Sequence, residues 1–514
     1  MRESPEEMLA KQVWRSWLVQ QNVTSFMPEI TISACPASTA GYAVISTSYL
    51  SDPLLLSPWI LPYCVLSLRF RLSPFDVVLL DAALGRPLPA DVTNLQEERK
   101  TLLQICEALA GIVCPSSPDP KMLHLLKSLP EEKITVTKDR ILVGGYLVFE
   151  SQNALPDFTL HEHPLLQYSH SVLPFLVTRI CQSRLPPRAL LLLHRICGIV
   201  TDLERETLRL GRVPRGAVVL ERRRILRIVA SLQRIKRCPC YVPFAPIEKT
   251  SASKLDEHNP TSLDEGSDLD PNRWVEDYLQ LLIQRAKTEP LTSEVKVFRE
   301  SGMHRFLVSA SDLHPVIRAG KVSLPLLIKS LKGTHRPLEV VRLIRLIDCI
   351  LGVEKLPELY TGEEDERKEV KYSVARKEYL LKVVRVLAKS DIGNKRVRDI
   401  ENMLDRKMQL IPSGSMGREF LCLRLLEQKN DAEYYIVDHP FVKRLGPEAV
   451  AVLARRLQYR HYRVTDVAIL SALFGVGSGL VGKLHNKGPL AEFLRRQLLM
   501  TCKALMRGAK NDGT

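Results

Sequence analysis

No apolar run in this chain reaches the ~18–20 residues that a membrane-crossing helix needs. Two stretches come near. Residues 54–68 (LLLSPWILPYCVLSL) are interrupted by Pro58 and Pro62. Residues 467–482 (VAILSALFGVGSGLVG) are uncharged but span only 16 positions between Asp466 and Lys483. Gly475 and Gly479 in the second stretch have the GxxxG spacing that lets helices pack closely. It reads as a buried, glycine-bearing helix pair or turn, and no membrane partner is expected. A disulfide framework is also lacking, because 11 Cys are scattered over 514 residues. That pattern suits reduced thiols inside a cell. Aromatic residues are few, at 6%. The start, MRESPEEMLAKQVWRSWLVQQ, lacks the basic and apolar regions of a secretory signal, and its Glu3, Glu6 and Glu7 do not suit a transit peptide. Ser4-Pro5-Glu6-Glu7 reads instead as a helix N-cap with acids in the first turn. Mitochondrial and cytoplasmic or nuclear settings stay open.

What is present is an ordinary globular composition, with 45% apolar and 25% charged residues. It excludes a mostly disordered chain, a collagen-like chain and a coiled-coil rod. At about 150 residues per domain the length suggests about three domains. The net charge of +15 favours an anionic partner, nucleic acid first. Residues 1–150 carry net −3, residues 151–247 net +9, residues 248–275 net −4, and the remainder net +13. The basic excess therefore lies in two blocks.

Proline breaks and a segment of strand character (Lys133–Glu150) mark residues 1–150 as a mixed α/β region. Within that segment two apolar runs around Thr137–Arg140 predict a hairpin, with Gly144-Gly145 a bulge or bend. Residues 151–247 read as an Arg-rich helical block, with a buried helix over Leu190–Val200, a turn from Gly211 to Gly216, and a basic amphipathic helix over Val218–Arg237. Residues 248–271 are polar and acidic, so they are expected to be a flexible linker. Residues 272–514 form a second, basic helical block, broken by a charged loop at Gly362–Glu369. Within it Val340–Leu351 (VVRLIRLIDCIL) and Leu380–Asp391 (LLKVVRVLAKSD) share one pattern of apolar and basic positions over eight residues, 40 residues apart. Ile225–Val229 carries the opening of the same pattern. A period of about 40 is that of helical-hairpin solenoids of the HEAT or armadillo type. The expected fold is therefore mainly α, a helical-repeat (HEAT/armadillo-like) array with a mixed α/β N-terminal region.

Motifs for chemistry are weak. Gly477-Ser-Gly479-Leu-Val-Gly482 fits GxGxxG, and with Lys483 it fits the start of a phosphate-binding loop. Leu484 stands where Ser or Thr would hold Mg²⁺, and only 30 residues follow it. The glycines therefore read as a turn, and no nucleotide cofactor is expected. Cys238-Pro-Cys240 needs two further zinc ligands, and only His258 lies near in sequence. His161, His163 and His170 have no fixed further ligand and read as solvent-facing loop residues. No metal site and no catalytic residue is assigned, and a non-enzymatic role is expected.

The arginines carry the functional expectation. Residues 179–237 hold 14 Arg and one Lys. A guanidinium fork suits phosphate and stacks on bases. At about 100° per residue, Val218, Ile225, Val229, Leu232 and Ile235 fall on one side of a helix. Arg223, Arg227 and Arg234 fall opposite, with Arg224 beside them. Pairing with Glu204, Glu206 and Glu221 is the competing use of this face. Arg342 and Arg345, then Lys382 and Arg385, repeat the arrangement and would line up as a basic stripe if their helices stack. Arg460 and Arg463 interleave with Tyr459, His461 and Tyr462, as suits an unstacked base and its phosphate. The sequence thus predicts an RNA-binding or ribonucleoprotein subunit that contacts phosphates through Arg-rich helices, with RNA and the protein subunits of a larger complex as partners. The alternative is a protein scaffold subunit of a large complex with acidic partners.

Overall fold

A computed structural model describes residues 61–70, parts of 77–111, 119–151 and 154–160, and then residues 161–233, 270–288, 314–351, 363–388, 394–409, 445–459, 462–475 and 489–510, together with the strand backbones given below. The linker at 248–271, apart from its last two positions, and the motifs at Cys238–Cys240 and Gly477–Lys483 lie outside the described residues, as does the N-terminal segment before residue 30. The chain is mainly helical. It divides into two compact units. One comprises Pro58–Leu279 with Ser309–Ser311, and the other Met1–Ser57, Gln280–Val308 and Asp312–Thr514. These units cut across the segments read from the sequence, since residues 58–150 share a unit with the Arg-rich block.

Strands β1 (Ile30–Ala34), β2 (Ala43–Thr47) and β3 (Leu54–Leu55) come first and belong to the second unit. The 58–279 unit then begins with α1 (Leu61–Phe70), α2 (Leu95–Leu109) and α3 (Pro120–Ser128). Asp119 caps α3 by accepting a hydrogen bond from Lys121 N at 2.8 Å, and Pro120 opens its first turn. A three-stranded antiparallel meander follows, formed by β4 (Ile134–Val136), β5 (Arg140–Val143) and β6 (Tyr146–Glu150). The expected hairpin is therefore one strand larger. Gly144 and Gly145 both have positive φ, at 61° and 86°, the conformation that a two-residue hairpin turn demands, so they reverse the chain rather than bend a strand.

Four helices complete this unit's core: α4 (Leu173–Gln182), α5 (Pro187–Cys197), α6 (Asp202–Leu210) and α7 (Arg215–Leu232). Helix α5 lies at the centre, with Ala189 through His194 all buried. Proline starts it, and Gly198 ends it in the left-handed conformation at φ 66°. Thr201 and Glu204 form a capping box on α6. Helix α8 (Pro271–Thr288) contains the boundary between the units. Its first half meets α7 at Gly216, where any Cβ would collide with Trp274 O and Tyr278 Cβ. Gly216 is thus a contact glycine inside the first turn of α7 and not the end of the preceding turn.

In the second unit β7 (Lys296–Glu300) and β8 (Met303–Leu307) pair antiparallel, and β8 runs parallel to β1. The resulting order is β3-β2-β1-β8-β7. This sheet corrects the purely helical reading of 272–358. Ser301-Gly302 between two short aromatic- and β-branched-bearing runs was the available signal. The helices are α9 (Pro315–Ala319), α10 (Leu324–Lys332), α11 (Pro337–Leu351), α12 (Glu363–Ala388), α13 (Asn394–Gln409), α14 (Glu448–Gln458), α15 (Val464–Phe474) and α16 (Pro489–Lys510). Every residue of α15 is buried, as suits a helix apolar on all sides. Helix α16 packs on α10, α12, α14 and α15. The first look-alike segment lies in α11 and the second, as far as Ala388, in α12; these helices are consecutive among the described ones and pack on each other, and residues 389–391 lie outside the described residues. The charged run at Gly362–Glu369 is not a loop, because Glu363 onward forms the first turns of α12. Glu, Arg and Lys are good helix formers, and acids at the N-terminus suit the dipole.

Candidate nucleic-acid interface

The ten basic residues singled out in the sequence fall into three groups. Arg234 and Arg460 lie outside the described residues. Arg227, Lys382 and Arg385 are exposed. The other five bind to groups of the protein itself. Arg223 donates to Asn272 Oδ1 at 2.9 Å. Arg224 points inward, pairing with Glu221 at 2.9 Å and donating to Leu84 O at 3.0 Å. Arg342 donates to Lys287 O in the last turn of α8. Arg345 grips both carboxylate oxygens of Glu369 on α12. Arg463 donates to Asp405 Oδ1 at 2.7 Å.

The inward arginines follow a rule. The last carbonyls of an α-helix have no partner within the helix, and a cation there also meets the negative end of its dipole. Arg222 donates to Ile180 O and Cys181 O at the end of α4, at 2.8 and 2.9 Å. Arg99 does the same for Leu68 O and Arg69 O at the end of α1. Arg495 bridges Leu457 O and Gln458 O at the end of α14, and its guanidinium lies 4.8 Å from the centre of the Tyr462 ring. Arg376, fully buried, donates to Phe474 O at the end of α15 at 2.6 Å and to Asp348 Oδ1 at 3.1 Å. Part of the arginine excess is thus architectural. Tyr462 is buried beneath Arg495, so it is not an open platform for a base, whereas Tyr459 is 70% exposed.

Two buried ionic clusters hold the 58–279 unit together. In the first, His194 Nδ1 meets Glu204 Oε1, and Glu204 Oε2 accepts from Thr201 N at 2.8 Å. His194 Nε2 lies 3.0 Å from Glu221 Oε1, within ion-pair reach but off the line of a straight hydrogen bond. Burial alone would lower the imidazole pKa, but the Glu204 and Glu221 carboxylates outweigh it and raise the value to about 9. Burial likewise works against the Glu221 carboxylate, yet Arg224 and His194 hold it down to about 2. In the second cluster Arg86 pairs with Asp81 at 2.7 Å and with Glu98, and donates to Cys197 O at the end of α5. Burial raises the Asp81 pKa to about 7 against the pull of Arg86. These groups are enclosed and mutually paired, which suits cohesion rather than turnover.

His163 is not a solvent-facing loop residue. It is buried, its Nε2 lies 2.9 Å from Glu132 Oε2, and its Nδ1 accepts from Leu165 N at 3.2 Å to cap the following turn. Among the described residues no group of three or more His, Cys, Asp or Glu is placed to hold a metal ion, and no helix is long and apolar enough to cross a membrane.

Helix α12 presents an open basic surface. Along α12, Arg367, Lys371, Val374, Ala375, Glu378, Lys382 and Arg385 are exposed, while Ser373, Arg376, Leu380, Val383, Val384 and Leu387 are buried. At about 100° per residue these exposed residues from Arg367 to Arg385 fall within about 100° of the helix circumference, and Ala388 in the last turn is exposed beside them. Four of these side chains are cationic and one is acidic. Arg367 falls in the run Gly362–Glu369 that reads as a loop, and Lys371 lies just before the helical pattern that starts at residue 372. The i, i+4 spacing of residues 367, 371, 378 and 382 was the signal that could have found them. No family model matches this chain, and no curated protein or solved structure is detectably similar to it.

Proposed function

We propose that this protein is a non-enzymatic RNA-binding subunit of a ribonucleoprotein, and that it contacts backbone phosphates through exposed basic helix faces. The supporting observation is the open cationic face of α12, where Arg367, Lys371, Lys382 and Arg385 stand in one row. Most other arginines considered for the task are turned to carbonyls and carboxylates, whereas this row and Arg227 on α7 are exposed to an outside anion. The net charge of +15 favours such a partner over long range. A HEAT- or armadillo-like array is the finer reading of residues 272–514 within this proposal. It rests on the pattern shared by Val340–Leu351 and Leu380–Asp391, and it requires further helix pairs stacked on α11 and α12.

The test is purification of the full chain, followed by crosslinking to bound RNA. The protein should carry absorbance at 260 nm that nuclease or high salt removes. Reversing all four cations of α12 to Glu should abolish crosslinking and flatten the dependence of log K on log salt by about 3 units, at about 0.7 per phosphate contact on a single strand. Unchanged affinity and slope would sink the proposal. Loss of a protein partner with no RNA bound by the parent chain would transfer these residues to the scaffold reading.

A further inference from the structure

The order of charges along α12 carries more than a count of them. Arg367 and Lys371 form one cationic pair and Lys382 and Arg385 another. At 1.5 Å per residue the row is about 27 Å long, and about 16 Å separates Lys371 from Lys382. The face between the pairs offers Val374, Ala375 and Glu378, with no cation. We propose that this face docks across the minor groove of double-stranded RNA. Arg367 and Lys371 then meet one phosphate backbone, and Lys382 and Arg385 meet the other. The inference rests on the RNA-binding reading and deepens it by naming the form of RNA.

Two observations select a duplex over a strand, and RNA over DNA. A single strand running along α12 would carry its phosphates past Glu378, where like charges repel. A groove puts phosphates only at the two ends and leaves Glu378 over the floor. There 2′-hydroxyl and base amino groups are donors, and a carboxylate is an acceptor. Depth decides the second choice. The major groove of B-form DNA is about 8.5 Å deep and takes a protruding helix. Helix α12 does not protrude, because α10, α11, α14 and α16 pack around it and only a narrow arc is open. A helix set that low can lie on the wide, shallow minor groove of A-form RNA.

The experiment compares binding of the full chain to an RNA duplex of about 20 base pairs, to either strand alone, and to the DNA duplex of the same sequence, over a salt series. The variants are Lys371→Gln combined with Lys382→Gln, which removes one cation from each pair, and Glu378→Gln. Gln is a good helix former and all three sites are exposed, so the melting temperatures should match the parent. The RNA duplex should bind about tenfold or more tightly than either strand or the DNA duplex. The double variant should flatten the duplex salt slope by about 2 units. Glu378→Gln should narrow the preference for RNA over DNA and, with the repelling carboxylate gone, should raise single-strand affinity. Equal or tighter binding of single strands, with the same dependence on Lys371 and Lys382, would overturn the duplex inference and leave RNA binding standing. Equal binding of the DNA duplex would overturn the groove assignment. Duplex affinity unchanged in the double variant would remove the site, and no binding of any RNA would remove both proposals.

Discussion

Arg224 and Arg227 stand three residues apart on α7 and have opposite surroundings. Arg224 is folded against Glu221 and Leu84 O, while Arg227 is exposed. Arg224→Glu should therefore strongly destabilise the 58–279 unit, by about 3–5 kcal/mol, because it leaves Glu221 buried beside a second carboxylate. Arg227→Glu should stay within about 0.5 kcal/mol of the parent. Chemical unfolding of both variants checks this, and equal effects would refute the inward placement of Arg224. The same cluster predicts a pH dependence. The folded pKa of His194, about 9, lies above its ordinary 6.5. Its contribution is whole below pH 6.5 and drains away as pH rises through 9. Asp81, raised from 3.8 to about 7, acts in the same direction, its contribution being lost as pH rises through 7. Glu221, lowered from 4.5 to about 2, contributes above pH 4.5 and loses that only as pH falls through 2. The unfolding free energy of this unit should thus decline from pH 6 to pH 9. His194→Ala should be less stable at pH 6 and show a shallower alkaline decline, and an unchanged decline would remove His194 as its source.

At the scale of elements, arginine joins helices end to side. Arg376 on α12 reaches Asp348 on α11 and the final carbonyl region of α15, and Tyr372 OH adds a hydrogen bond to Asp348 Oδ2 at 2.7 Å. Burial would lower the Arg376 pKa, but Asp348 and its neighbours raise it above the ordinary value, so the side chain stays charged. Arg376→Ala should cost about 3–5 kcal/mol, since Asp348 is left buried without its cation. The double variant with Asp348→Ala should recover part of that loss, and a strictly additive pair would show that the two groups do not interact. Gly216 is the corresponding device between α7 and the first half of α8. Gly216→Ala should destabilise by about 1–3 kcal/mol, because Trp274 O and Tyr278 must move aside. Amide exchange across residues 271–279 should accelerate in that variant, and unchanged exchange would mean that this contact does not hold α8.

For the whole molecule, each unit has its own buried core and its own ionic clamps. Leu190–Leu193 and the His194 cluster belong to the 58–279 unit, and α15 with Arg376 belongs to the other. Local stability should follow that division. His194→Ala should speed exchange of α5–α7 amides and leave α15 protected, and Arg376→Ala should do the reverse. The basic excess is divided by use in the same way. Arginines at helix ends serve the fold, and the cationic row of α12 is exposed.

Sequence alone was enough for properties that depend on neighbours along the chain. Apolar periodicity marked the buried face of α7 and the buried helix read over Leu190–Val200, which the structure starts at Pro187 and ends at Cys197 because Gly198 takes the left-handed conformation. Lys382 and Arg385 were legible as exposed because the apolar residues around them fill the opposite face. Which arginines stay free was not legible. A helix C-terminus offers its carbonyls to whatever side chain tertiary packing brings there, and residues such as Arg495 and Leu457 are 38 positions apart. The pairing of β1 with β8 escaped for the same reason, since it joins residues 31 and 306. Local pattern decides which face of a helix is apolar. Only the packed structure decides which of its charges have already found a partner, because that depends on contacts distant in the chain.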